Sequence, residues 1–171
     1  MANATLERQV VNDLHILKFT WDKDNDPNVA FGTAESSRFL NVMDGPCDVL
    51  LAFVQNQVYF STTFNPHYIY LFNQITEPDM DSGDTNHDEA DVLIEAKAAT
   101  SAPGGATIYL PGYTVVPFGL DGGGTRFNVG LGVVAAANED YGADGKELGG
   151  DTSGSGNNAG TMVLTLYARK R

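Results

Sequence analysis

Read for the alternation of apolar and polar positions, the chain changes period once, near residue 14. Before that point, Leu6, Val10 and Leu14 stand four apart, a spacing that suits a short amphipathic helix or an extended arm. From Leu14 onward the period is two. In "LHILKFTW" Leu17, Phe19 and Trp21 share one face, and Lys18 and Thr20 share the other. The run stops at the turn cluster "DKDNDPN". The same alternation predicts strands in "VAF", "SRFLNVM", "DVLLAFVQNQVYFSTTF" and "HYIYLFNQI", with Gln55-Asn56 as a hairpin turn inside the third. It returns in "ADVLIEAKAAT", in "ATIYLPGYTVVPFGL" around Pro111-Gly112, in "RFNVGLGVVAAA" and in "TMVLTLYARKR". The glycines of "RFNVGLGVVAAA" mark a bulged or closely approached strand.

Roughly eight to ten short strands separated by turn signals predict an all-β chain, an antiparallel β-sandwich, with a jelly roll as the specific arrangement. The expected organisation is an N-terminal arm or short helix over 1–13 and one sandwich domain over 14–171, with a long Gly/Ser-rich loop within 142–160. At 171 residues and 18.3 kDa the chain is long enough to bury a core without covalent staples. Nineteen Gly and seven Pro agree with many turns.

Charge narrows the partners. Ten basic against 22 acidic residues give a net charge of −12, a field that repels phosphate backbones and anionic lipid surfaces, so neither nucleic acid nor membrane is expected as a partner. The opening "MANATLERQVVNDLHILKF" carries charges where a signal peptide needs an apolar run, and Val49–Val54 is far shorter than a spanning helix. The expectation is a protein made in the cytoplasm. One cysteine, Cys47, excludes an internal disulfide and reads as a small buried hydrophobe, because its neighbours Pro46 and Asp48 offer nothing to activate a thiol.

Several stretches imitate chemistry. In "DTNHDEADVLIE", Asp84, Asn86, Asp88 and Glu95 occupy positions 1, 3, 5 and 12 of a calcium loop. Position 6 is Glu89 where a glycine permits the sharp turn, no amphipathic helix precedes the loop, and Glu95 falls within a strand alternation. The segment 77–91 therefore reads as a solvated acidic connector. Asp22–Pro27 reads as a charged turn, with Pro27 where the metal loop wants Gly. Asp81-Ser82-Gly83 spells an aspartic-protease triplet without the buried strand before it, and Gly154-Ser155-Gly156 lacks the strand and helix of a nucleophile elbow. Gly122-Gly123-Gly124-Thr125 lacks the lysine and helix of a phosphate loop. His15, His67 and His87 are scattered, with no zinc spacing. No catalytic, cofactor-binding or metal-binding residue is assigned, and the chain is expected not to be an enzyme. Two other features stand out: the basic run Arg169-Lys170-Arg171, suited to docking on a carboxylate-rich partner, and Tyr68, Tyr70 and Tyr113 as platforms for a sugar, against the plainer alternative of strand packing.

An acidic sandwich without a catalytic constellation, opening on the polar "MANATLERQV", resembles the decoration (cement) proteins of tailed bacteriophages. That resemblance implies a virion protein on the capsid surface. Its partners would be the major capsid protein and further copies of itself, as a homotrimer that stabilises junctions between capsomers. The competing expectation is a carbohydrate- or receptor-binding module of a phage fibre or tail.

Overall fold

The computed structural model describes residues 4–22, 40–57, 59–60, 67–76, 91–97, 100–101, 109–119, 123–136, 158–159 and 161–171. Every regular element among them is a strand. In chain order these are β1 (Ala4–Val11), β2 (Leu14–Asp22), β3 (Leu40–Asp44), β4 (Cys47–Asn56), β5 (Tyr59–Phe60), β6 (His67–Phe72) and β7 (Val92–Ala96). There follow β8 (Thr100–Ser101), β9 (Tyr109–Leu110), β10 (Gly112–Pro117), β11 (Thr125–Phe127), β12 (Gly130–Ala136), β13 (Asn158–Ala159) and β14 (Thr161–Lys170).

All pairings are antiparallel. One sheet runs β1-β2-β14-β4-β10, with β11 against the start of β4 on the same edge as β10; the other runs β3-β12-β6-β7. Set β1 aside and count β10 and β11 as one interrupted strand. The long strands in chain order then lie first-eighth-third-sixth in one sheet and second-seventh-fourth-fifth in the other. That order is the double Greek key of a jelly roll.

Period-two patterning builds the core. β14 alternates half-buried and buried through Ala168, and its inward Leu164 and Leu166 meet Leu17 and Phe19 of β2 and Ala52 and Val54 of β4. From the second sheet, Ile69, Leu71, Ile94, Leu131 and Val133 close the same core. The two open sides of the sandwich are clasped by polar contacts. On one, Thr114 of β10 accepts a hydrogen bond from the Lys97 amide at 2.9 Å and donates to the Glu95 carbonyl of β7 at 3.3 Å. On the other, Arg8 Nη2 of β1 donates to the Val42 carbonyl of β3.

Of the two alternatives for the N-terminal segment, an arm or a short helix, residues 4–11 take the extended one, as a strand in unbroken register with β2, joined through a two-residue turn in which Asn12 takes φ 57°. One expectation needs correcting: Gln55-Asn56 is not a turn. Asn56 is buried in β4, opposite Met162 and Gly112, and the same ladder resumes as Tyr59↔Ala159 and Phe60↔Asn158 in β5 and β13. The bulge expected from the glycines of 126–137 is present, between Leu131 and Gly132 where β12 meets β3. Gly130 also allows close approach, since a Cβ there would meet Ile75 Cγ2 and lie 2.7 Å from the Met43 carbonyl oxygen.

Candidate functional site

Polar chemistry first gathers where strand ends converge. Asp48, at the start of β4, is buried, with Arg126 of β11 directly opposite on one side and Arg169 of β14 on the other. Arg126 Nε donates to Asp48 Oδ1 at 3.0 Å, and Arg171 Nε to Oδ2 at 2.5 Å. Burial pushes the Asp48 carboxyl up, but hydrogen bonds and charge from Arg126 and Arg171 outweigh it and hold the group below its ordinary value. The Arg171 amide also donates to the Pro46 carbonyl at 3.0 Å, and Arg169 pairs with Asp13 at 2.8 Å. Two of the three charges of Arg169-Lys170-Arg171 are thus engaged within the chain. The run clasps its own sandwich instead of standing ready for a partner. Cys47, beside Asp48, is fully buried, and burial together with the Asp48 charge pushes its thiol up to about 11. Such a thiol is a poor nucleophile.

Of the imitations of chemistry, most fall outside the described residues: Asp81-Ser82-Gly83, Asp84, Asn86, His87, Asp88, Gly122 and Gly154-Ser155-Gly156, with the charged turn past Asp22 and the loop 142–157. Glu95 is an exposed residue of β7, pointing away from the core opposite Tyr68. Asp91 accepts a hydrogen bond from the Asn73 amide at 2.6 Å, which ties it to the end of β6. Gly124 has φ 84°, and a Cβ there would lie 2.6 Å from the Val49 carbonyl, so this glycine serves a tight approach to β4. Among the described residues no group of three or more His, Cys, Asp and Glu could hold a metal ion.

The two outer faces of the sandwich differ. On the β3-β12-β6-β7 sheet, Tyr70 and Phe72 point away from the core by register yet are completely buried, their rings stacked at 6.4 Å. Tyr70 is therefore a packing residue and not a sugar platform, and Tyr68 is half-buried. On the other sheet the outer face is exposed along β1 and β10 and half-buried along β2, β14 and β4. Register lines up cross-strand rows there: Glu7, Lys18, Thr165, Phe53 and Val115 in one, Gln9, Ile16, Tyr167, Leu51 and Pro117 in the next. Tyr113 stands in the row beyond and stacks on Phe53 at 5.8 Å. Tyr113 is 51% and Val115 58% exposed.

This face is apolar toward β10, and its charged row, Arg169, Asp48 and Arg126, lies at the other end of the strands. In the rows above, the two charged side chains, Glu7 and Lys18, pair with each other at 3.4 Å. The apolar end spans β14, β4 and β10; three strands at ~4.8 Å and three rows at ~6.8 Å give a flat extent of roughly 300 Å². An extent of that size is within the ~300–600 Å² of the largest apolar patch on an ordinary monomer, and under half of the ~800 Å² that each partner commits to a standard protein interface. The alternation along β10 and β14 was visible in the sequence. Which of the two faces would stay open was not, because that depends on what covers each sheet.

No family model matches the chain, and no curated protein sequence matches it. Among solved structures, a chain from a structure of the infectious bursal disease virus Gx strain aligns over 98% of this chain and 36% of its own length, at 11% identity and a TM-score of 0.26. This chain spans about a third of that one, and at so low a score the jelly-roll assignment rests on the strand order described above.

Proposed function

We propose that this chain is a structural virion protein that binds the outside of a viral capsid and stabilises junctions between capsomers, as a cement or decoration protein does. It acts as a homo-oligomer, a trimer, with the major capsid protein as its partner. The observation that carries this reading is the exposed apolar β10 end of the outer face of the β1-β2-β14-β4-β10 sheet, where Tyr113 and Val115 stand with no charge beside them in their rows on β4 and β14. The jelly roll supports it as an architecture used by capsid domains, though lectins and cupins share it. Many copies on one shell multiply a small gain per contact.

Binding to assembled, undecorated shells of the virus that carries the chain tests the reading. Wild-type protein sediments with the shells at a fixed ratio, and Val115→Glu does not, although it melts within about 0.5 kcal/mol of wild type because the residue is exposed. Equal sedimentation of both proteins would remove the outer face from the account. Tyr113, exposed and held flat by Phe53, also suits a carbohydrate-binding module of a fibre or tail. Retention on a glycan array that Tyr113→Ala abolishes, with no shell binding, would favour that alternative.

A further inference from the structure

Among the described residues β1 is the edge strand of its sheet, and its hydrogen-bonding phase can be read from one contact. The Gln57 amide donates to the Thr161 carbonyl at 2.9 Å, so odd-numbered residues of β14 face β4 and even-numbered ones face β2. Through Leu164↔Phe19, odd-numbered residues of β2 face β14 and even-numbered ones face β1. Through Glu7↔Lys18, odd-numbered residues of β1 face β2. Ala4, Leu6, Arg8 and Val10 therefore turn their amides and carbonyls out from the sheet.

Among the described residues β1 pairs with β2 alone, and every residue from Thr5 to Asp13 is exposed, Leu6 and Val10 included. Edge strands are usually blunted by proline, charged side chains, an inward-pointing charge, a bulge or shortness, and of these β1 has the charges Glu7 and Arg8 alone. β1 has eight residues, contains neither Pro nor Lys, and runs in unbroken register. Its one inward charge, Arg8, reaches under the edge to the Val42 carbonyl.

The charges disfavour a second β1 as the occupant. Two antiparallel registers join the outward-turned groups of two copies over most of the strand. One sets Arg8 against Arg8, and the other sets Glu7 against Glu7. Like charges directly opposite destabilise a strand pair. We propose that the free edge of β1 binds an extended segment of a different protein, with the pattern aliphatic–x–Asp/Glu–x–aliphatic. The carboxylate lies opposite Arg8, and the aliphatic side chains lie opposite Leu6 and Val10. The inference takes from the proposed function only that the chain binds another protein, and it names the chemistry of what is bound.

A synthetic nine-residue peptide centred on Val-Thr-Glu-Thr-Val is the probe, with a copy carrying Lys for Glu as control. Followed by amide hydrogen exchange, the Glu peptide slows the amides of Leu6, Arg8 and Val10, while those of Glu7 and Gln9, already bonded to β2, do not change. Arg8→Glu reverses the preference between the two peptides, a discrimination of about two- to thirtyfold each way from a cross-strand charge pair. Val10→Pro and Leu6→Pro each delete an outward amide without touching the ladder to β2, a position where edge strands tolerate proline. Both variants fold and lose the peptide. Exchange unchanged by millimolar peptide, or protection at β10 instead of β1, overturns the inference; so does dimerisation through β1 without peptide. The two readings fail separately. Shells bound normally by a Val10→Pro protein, with no response of wild type to peptide, would leave the capsid reading standing alone. Peptide bound at β1 by a protein that never sediments with shells would leave this inference standing alone.

Discussion

Replacing Asp48 by Asn removes one buried negative charge and leaves the shape of the side chain. In the folded protein that carboxylate receives Arg126 at 3.0 Å and Arg171 at 2.5 Å, contacts that tie β4 to β11 and to the end of β14. A hydrogen bond to a charged group contributes about 1.5–3 kcal/mol when both partners are shielded. Here the carboxylate is shielded, but the two guanidiniums are 53% and 54% exposed, so water screens them and the pair together is worth about 2–3 kcal/mol. For a chain of this length that is a fall of about 5–10 °C in Tm at pH 7. The Asp48 carboxyl is held below its ordinary value, so its contribution is complete above the unfolded value of about 3.9 and is lost as pH falls through the lower folded value. Thermal melts of wild type and Asp48→Asn, followed by circular dichroism from pH 7 downward, should differ fully at neutral pH and converge in acid. A gap that stays constant down to pH 2, or a fall below 1 °C at pH 7, would refute the clasp.

Other expectations follow from packing. Gly130→Ala forces a Cβ against the Met43 carbonyl and Ile75, at a cost of about 1–3 kcal/mol read as a lower urea midpoint with unchanged slope. Tyr70→Ala empties a completely buried site and costs about 3–5 kcal/mol, whereas Tyr113→Ala, on the open face, costs under about 1 kcal/mol in the same assay. The Cys47 thiol, pushed up to about 11 and fully buried, does not react with a disulfide reagent at pH 8 in the native protein and reacts at once in guanidinium.

The strands were legible where one face is buried and the other wet, as in β2, β7 and β14, because burial then imposes a strict period of two. β1 was ambiguous for an arithmetical reason: four residues is an even number, so Leu6 and Val10 share one side of a strand as well as of a helix, while Leu14 lies past the turn in β2. The turn expected at Gln55-Asn56 rested on residue preference, and the continuing ladder with β14 overrode it. The clasp was beyond reach, since Arg126 and Arg171 lie 78 and 123 positions from Asp48 and nothing local selects one carboxylate among 22 acidic residues. The basic run suggested an outside partner for the same reason. Its partners inside the fold are brought near only by topology. The open sheet face needed both sheets to be placed before one could be seen as covered and the other as bare.

Covalent footprinting of exposed side chains on protein bound to shells, compared with free protein, tests the central proposal most directly. The account predicts that Tyr113 and Val115 become protected on binding while Leu93, exposed on the opposite sheet, is labelled as before. Stoichiometric binding with Tyr113 and Val115 still fully labelled would contradict it.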